Sequence, residues 1–273
     1  MSERLVLDLE TQKDFAEVEG RKPELLKISL LGVYSYEANR YDAYMEADLP
    51  KLFPRLQDCT LLIGFNIRKF DLAVLQPYSP FPLSSIPLLD IMEEVVKALG
   101  HRLSLDSLSK ATLGRGKSGH GLEALQWFKE GRFDLIAKYC LDDVKLTKEL
   151  YEYGKEHGKL FATGRYSADK LIVPVFWPDR KRPLETIAKI LGEAFEKRLQ
   201  VEIEYLSQQA VQENAPPRTR RVDVYHIQEP YFEGFDNFRQ EVRQFRIDRI
   251  LEIRPTWQRY TVPDHFVSAV MTE

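Results

Sequence analysis

The chain has little cysteine. Cys59 and Cys140 are the only two in 273 residues, too few and too far apart for a disulfide framework or a thiolate metal site. Catalysis must therefore rest on other groups. There is no excess of positive charge either: 39 Lys and Arg against 42 Asp and Glu leave a formal charge of −3. The net field repels a polyanion, so any nucleic-acid binding must be local. No apolar run approaches the ~20 residues of a membrane span. The opening MSERLVLDLE places acids where a secretory signal needs an apolar stretch. These absences predict no membrane partner and a cytoplasmic location. Internal repeats and low-complexity tracts are also missing. Lysine is absent from Arg198 onward, where ten arginines (198, 218, 220, 221, 239, 243, 246, 249, 254, 259) carry all the Lys and Arg charge. The rigid guanidinium fork suits bidentate phosphate contacts, and equally a solvated strand surface.

What is present is a globular composition, 44% hydrophobic and 30% charged, in a chain longer than the usual single domain. In RLVLDLET, Leu5, Leu7 and Leu9 alternate with Val6, Asp8 and Glu10, which predicts a strand with acids at its polar end. Strands over Leu25–Tyr36 and Arg40–Tyr44 follow, then a short helix over Leu49–Leu56 and a buried strand at Thr60–Gly64. Ile67–Leu75 has helical spacing, Ile86–Leu89 reads as a strand, and Asp90 caps a helix ending at Gly100. Helices over Leu103–Leu113, Leu122–Glu130 and Phe133–Tyr153, the last ended by Gly154, complete an α/β layout. Glu156–Pro183 loses periodicity and reads as a linker. A helix at Leu184–Lys197 then precedes strands at Leu199–Tyr205, Arg220–Gln228, Tyr231–Phe235 and Glu241–Ile253, with Asn214 at a loop tip. This second part predicts a small all-β barrel or sandwich.

Three acidic elements stand out. Asp8 and Glu10, two apart on a strand, point to one face, where their repulsion costs energy unless cations neutralise it. Asn66 and Asp71 directly follow a buried strand, where open α/β sheets place ligand-binding residues. Tyr139 and Asp143 share one helix face at i, i+4, beside the apolar stripe Ile136, Cys140, Val144 and Thr147. Each has a bland alternative: a solvated strand end, a helix N-terminal acid, an acid at the rim of a core stripe. If the four carboxylates converge, they form a hard oxygen site suited to Mg²⁺ or Mn²⁺ rather than zinc. Gly114-Arg-Gly-Lys-Ser is not a phosphate loop, because the first glycine of that pattern would fall at Ala111. Lys117 there reads as part of a flexible basic loop that touches substrate phosphate. The histidines at 101, 120, 157, 226 and 265 have no chelating spacing.

Asp-Leu-Glu-Thr (8–11), Asn66-xxx-Phe70-Asp71 and Tyr139-xxx-Asp143, in this order, resemble the three motifs of the DEDDy branch of 3′–5′ exonucleases over roughly residues 4–155. The resemblance implies a ribonuclease H-like mixed-sheet domain and makes Asp8, Glu10, Asp71 and Asp143 ligands of two divalent cations, Mg²⁺ or Mn²⁺. Tyr139 would position the attacking water. Residues 184–273 resemble a WYL domain, through the helix to Arg198, Val201–Tyr205, Pro230-Tyr231-Phe232 and Arg243–Ile253. The name motif departs from the pattern at Pro230 and Phe232. That similarity implies an Sm/SH3-like β-barrel in which Tyr231, Arg243, Arg246 and Arg249 line a nucleic-acid or ligand surface.

The expected organisation is thus an exonuclease domain at 1–155, a linker at 156–183 and a WYL-like domain at 184–273. The expected activity is hydrolysis at 3′ ends of single-stranded DNA. An RNA exonuclease is the near alternative, and a nucleic-acid or nucleotide-sensing regulator with an inactive nuclease domain is the alternative from another class. A homodimer through the WYL-like domain is one further arrangement.

Overall fold

The computed structural model describes residues 3–119, 121–163, 170–178, 184–212 and 215–268; His120, residues 164–169 and 179–183 of the expected linker, and Asn214 lie outside them. The chain forms two compact units, Met1–Trp177 and Pro178–Glu273.

The first unit contains β1 (Glu3–Thr11), β2 (Ile28–Ser35), β3 (Arg40–Met45), α1 (Phe53–Gln57), β4 (Cys59–Gly64), α2 (Asp71–Leu75), β5 (Leu88–Asp90), α3 (Ile91–Leu99), α4 (Leu105–Leu113), α5 (Gly121–Lys129), α6 (Phe133–His157), β6 (Lys159–Thr163) and β7 (Lys170–Pro174). Its main sheet is mixed, in the order β3-β2-β1-β4-β5. The hairpin β1-β2-β3 is antiparallel, while β4 lies parallel to β1 and β5 parallel to β4. The alternation on β1 sorts two cores. Leu5, Leu7 and Leu9 pack with Leu49, Leu52 and Leu56 on one face. Val6 packs on the other with Ile63, Leu108, Val144 and Leu150, the side covered by α3, α4 and α6.

Three local predictions shift, each for a physical reason. The helix expected at Leu49–Leu56 is a 3₁₀ segment, Glu46–Lys51, followed by α1. Pro50 has no N–H for a regular ladder there. The helix expected from Ile67 begins only at Asp71, because Asn66 is left-handed (φ 62°) and the Asn66 and Arg68 amides donate to Asp90. Helix α6 runs through Gly154 and stops at Gly158 (φ 64°). Gly154 is instead where the Trp177 ring lies against the helix, in the space a Cβ would need.

The stretch expected as a linker carries structure: β6 and β7 pair as an antiparallel hairpin, and Leu160, Val173, Val175 and Trp177 enter the second core. Trp177 is stacked on Tyr151, with ring centroids 5.7 Å apart. Trp177→Ala is expected to destabilise this unit by about 3–5 kcal/mol, read by urea denaturation. An unchanged midpoint would show that the hairpin is only loosely held.

The second unit comprises α7 (Leu184–Glu196), β8 (Leu199–Tyr205), α8 (Gln208–Gln212), β9 (Arg218–Gln228), β10 (Tyr231–Asp236), β11 (Glu241–Arg246) and β12 (Ile250–Arg259). Its sheet is antiparallel in the order β11-β10-β9-β8-β12. The expected barrel is not closed: β11 and β12 are the two edges. The single strand predicted at Glu241–Ile253 breaks at a 3₁₀ turn, Ile247–Arg249, which sends its halves to opposite edges. Ile187 and Leu191 of α7 pack on Val201, Ile203, Val222, Phe232, Phe245 and Ile253. Phe232, where the motif departs from its pattern, is fully buried and stacked on Phe245 at 5.0 Å. Among the described residues no helix is long and apolar enough to cross a membrane.

Candidate active site

Asp8 and Glu10 project from β1 on the face that α6 covers. Asp8 stands in register with Gly32 of β2. A Cβ on Gly32 would lie only 3.0–3.1 Å from Cys140 Sγ, Leu141 and Val144 of α6, so glycine there lets the helix approach the strand pair. The Cys140 thiol sits 3.4 Å from the Asp8 carbonyl oxygen. One helical turn fixes Tyr139 and Asp143 over the same spot, both buried. Carboxylate oxygens of Asp8, Glu10 and Asp143 all come within 4.8 Å of one another.

Asp71 reaches this place from the start of α2. Strand β4 leaves β1 after the Val6–Ile63 pair, and Asp71 Oδ1 accepts the Leu9 N–H at 3.1 Å. Asp90 holds the preceding loop. Its carboxylate accepts the Asn66 amide at 2.8 Å and the Arg68 amide at 3.1 Å, while capping α3 through Met92 N. The cap was legible in the sequence; the clamp on the loop was not, since nothing in the spacing ties residue 90 to 66. Asp8, Glu10, Asp71, Lys117, Tyr139 and Asp143 line one cleft of about 310 Å³. Lys13 and Phe15, which sequence reasoning missed, line it too. Asn66 does not: its contribution is the left-handed turn before α2.

The electrostatics are those of acids crowded together, with Asp71 and Asp143 buried and Asp8 and Glu10 partly so. Burial, then the charge of Asp143, pushes Asp8 up to about 8. Burial, then the charge of Asp8, holds Glu10 and Asp71 well above the ordinary carboxyl range. Burial raises Asp143 as well, against the opposing pull of Lys117. The Lys117 ammonium lies 2.5 Å from Asp143 Oδ2. Asp143 Oδ1 and the Tyr139 hydroxyl are buried and make no hydrogen bond of good geometry among the described residues. Burial, then the Asp143 charge, keeps the Tyr139 hydroxyl above its usual pKa and hence neutral at pH 7. A buried carboxylate is costly unless positive charge or donors stand against it, and here Lys117 supplies the charge. All-carboxylate donors are what a hard divalent ion takes, so the residues fit Mg²⁺ or Mn²⁺.

In the second unit the expected surface comes together only in part. Tyr231 pairs with Arg246 across β10 and β11, and the guanidinium lies 5.7 Å over the ring while gripping Asp248. Arg243, three residues along, falls on the other face by strand alternation and pairs with Glu241 at 3.2 Å. Arg249 ends the 3₁₀ turn, where its carbonyl accepts the Leu206 amide. Tyr205 packs edge-on against Phe245 at 5.2 Å, and its hydroxyl accepts the Arg246 amide. A different aromatic faces solvent: Trp257 is 99% exposed. Between Pro255–Val201 and Arg259–Leu199, β12 spends four residue steps where β8 spends two, and this bulge carries Trp257. Arg254 and Arg221 flank Glu202 across three strands and both pair with it. An isolated Trp gives no periodic signal, which is why the sequence pattern passed over it.

A profile of the WYL domain matches residues 186–255, so the second unit carries a WYL domain. Among solved structures the chain is similar to proteasome accessory factor B/C (PafBC) of Arthrobacter aurescens, at 20% identity over 58% of this chain and 21% of that one, with a TM-score of 0.25. The match thus spans about a fifth of that chain's length. No curated protein matches.

Proposed function

We propose that the protein is a metal-dependent 3′–5′ exonuclease acting on single-stranded ends, DNA first, with the WYL domain holding the strand. The observation that carries this reading is the meeting of Asp8, Glu10 and Asp143 within 4.8 Å. Asp71 and Tyr139 line the same cleft. The sheet order β3-β2-β1-β4-β5, with an antiparallel hairpin leading into parallel strands, supports the ribonuclease H-like assignment.

Asp8, Glu10 and Asp143 would hold a divalent ion, with Asp71 available to a second. Such ions supply a nucleophile at neutral pH and neutralise charge on the scissile phosphate. The chain's own part is positional. The cleft admits one strand end, and Phe15 and Phe70 offer apolar surface beside the acids. Tyr139, neutral at pH 7, orients a water through its hydroxyl rather than removing its proton.

The WYL match favours a second reading, a nucleic-acid or nucleotide-sensing regulator whose carboxylates hydrolyse nothing. One assay separates the two. The protein is incubated with 3′- and 5′-labelled single strands of DNA and RNA in Mn²⁺ or EDTA. Shortening from the 3′ end that stops with EDTA and with Asp71→Ala supports the enzyme; an inert wild type that still binds strands supports the regulator.

Strand binding by the second unit has its own readout. Of three tryptophans, Trp177 is buried and Trp127 partly so, leaving Trp257 as the exposed fluorophore. Stacking on a base contributes about 1–3 kcal/mol. Oligothymidine is expected to quench the long-wavelength emission, and Trp257→Ala to weaken binding by about tenfold. Unchanged emission at saturation would remove Trp257 from the strand path.

A further inference from the structure

We propose that Lys117 is the resident cation of the carboxylate cluster: it competes with the divalent ion for Asp143, and a bound strand's phosphate draws it away. This rests on the exonuclease reading. It assigns to the same site a coupling between metal loading and strand binding.

The argument begins with charge. Four carboxylates share one cleft, and their mutual repulsion favours something positive among them. The Lys117 Nζ fills that place, 2.5 Å from an oxygen of Asp143, a residue 1% exposed. It also lies 5.3 Å from the Tyr139 ring centroid, the face on which a cation is favoured.

The position is built rather than incidental. The Lys117 amide donates to Asp106 Oδ1 at 3.0 Å, and the Ser118 hydroxyl donates to Asp142 Oδ2 at 3.1 Å. These bonds tie the α4–α5 loop at the two residues carrying and following the ammonium. A Cβ at Gly116 would press on the Asp106 carboxylate and the Lys110 side chain, so glycine there leaves Asp106 in place to accept the Lys117 amide.

A hard ion binding Asp143 needs an oxygen at about 2.0–2.6 Å, the same carboxylate that the ammonium holds. Two cations on one buried carboxylate repel each other strongly at low dielectric, so entry of the ion loosens the lysine. An ammonium freed into the cleft meets the one anion that the proposed substrate brings, a phosphate. Strand binding then removes the competitor of the metal, and by reciprocity metal binding exposes a strand contact. The loop that holds Lys117 is what couples the two.

The test is Mn²⁺ titration of the full chain by calorimetry, with and without an oligonucleotide protected by a 3′-terminal phosphorothioate. Lys117→Met is expected to bind Mn²⁺ at least tenfold more tightly than the wild type when no strand is present. The strand is expected to tighten Mn²⁺ binding to the wild type and to do so much less in the variant. Should Lys117→Met fold poorly, Ser118→Ala keeps the lysine but releases its loop, and is expected to tighten Mn²⁺ binding by a smaller factor. Equal or weaker Mn²⁺ affinity in a folded Lys117→Met, or the same strand effect in both proteins, overturns the inference and leaves the exonuclease reading standing. Absence of Mn²⁺ uptake by every form removes both.

Discussion

Asp8→Asn protein is expected to melt above the wild type at pH 8 when both are metal-free, and in Mn²⁺ to have lost hydrolysis by at least ~10³-fold, about 4 kcal/mol of barrier. Both effects come from one carboxylate. Burial beside Asp143 lifts Asp8 to about 8 in the folded chain, whereas an unfolded aspartate titrates near ~4. Folding therefore takes up a proton over this interval. The associated stability is complete below pH ~4 and drains away as pH climbs to about 8, where the folded carboxyl also ionises. Asparagine keeps the shape of the neutral acid and carries no charge to desolvate. The two proteins should melt alike at pH 4 and diverge toward pH 8, by on the order of 5–10 °C if the released repulsion is a few kcal/mol. Saturating Mn²⁺ should reverse the order, because it stabilises only the form that binds it, by about 2.7 kcal/mol at a hundredfold excess over Kd. Calorimetric melts of both proteins at pH 4, 6 and 8, with Mn²⁺ and with EDTA, check all of this. A variant less stable than the wild type at pH 8 would mean that Asp8 is a structural acid rather than a strained ligand.

The crowding of like charges is legible in the sequence. The alternation of Leu5, Leu7 and Leu9 with Val6, Asp8 and Glu10 sent both acids to one face, and the i, i+4 spacing put Tyr139 over Asp143. Short-range periodicity fixes directions, and those are the residues whose directions came out. What it does not fix is partnership across the chain. The Asp71 carboxylate meets the Leu9 amide because β4 separates from β1 after Val6, a matter of strand register that no local pattern encodes. Lys117 reached Asp143 through backbone bonds of a loop that read as flexible. The hairpin β6-β7 lies in a stretch that reads as a linker because two strands of five residues alternate too briefly to register, although Leu160, Val173, Val175 and Trp177 anchor it in the core. In the second unit the strands were legible and their closure was not. A 3₁₀ turn of three residues decides whether Glu241–Ile253 is one strand or two edges.

Gly32 makes the dependence on tertiary approach testable without touching an acid. Gly32→Val is expected to abolish most activity although every carboxylate, the tyrosine and the lysine remain. The residue sits across from Asp8, under α6, and a Cβ there already crowds Cys140, Leu141 and Val144. Valine adds two further carbons that only an outward movement of the helix can accommodate. Overpacking of this kind costs about 1–3 kcal/mol of stability. The larger consequence falls on geometry, because α6 carries Asp143 and Tyr139 while β1 carries Asp8 and Glu10, so any widening separates the halves of the site. A displacement of about 1 Å can cost ~10²-fold in rate. Gly32→Ala, which needs its neighbours to give only a few tenths of an ångström, should retain most activity and most Mn²⁺ affinity. The graded loss from alanine to valine, measured as rate and as Mn²⁺ affinity on protein shown to be folded, separates a site assembled by helix approach from one held by β1 alone. If valine lowers the melting temperature yet leaves rate and affinity intact, the carboxylates of β1 do not need Asp143, and the proposed ligand set shrinks to what the strand and Asp71 supply.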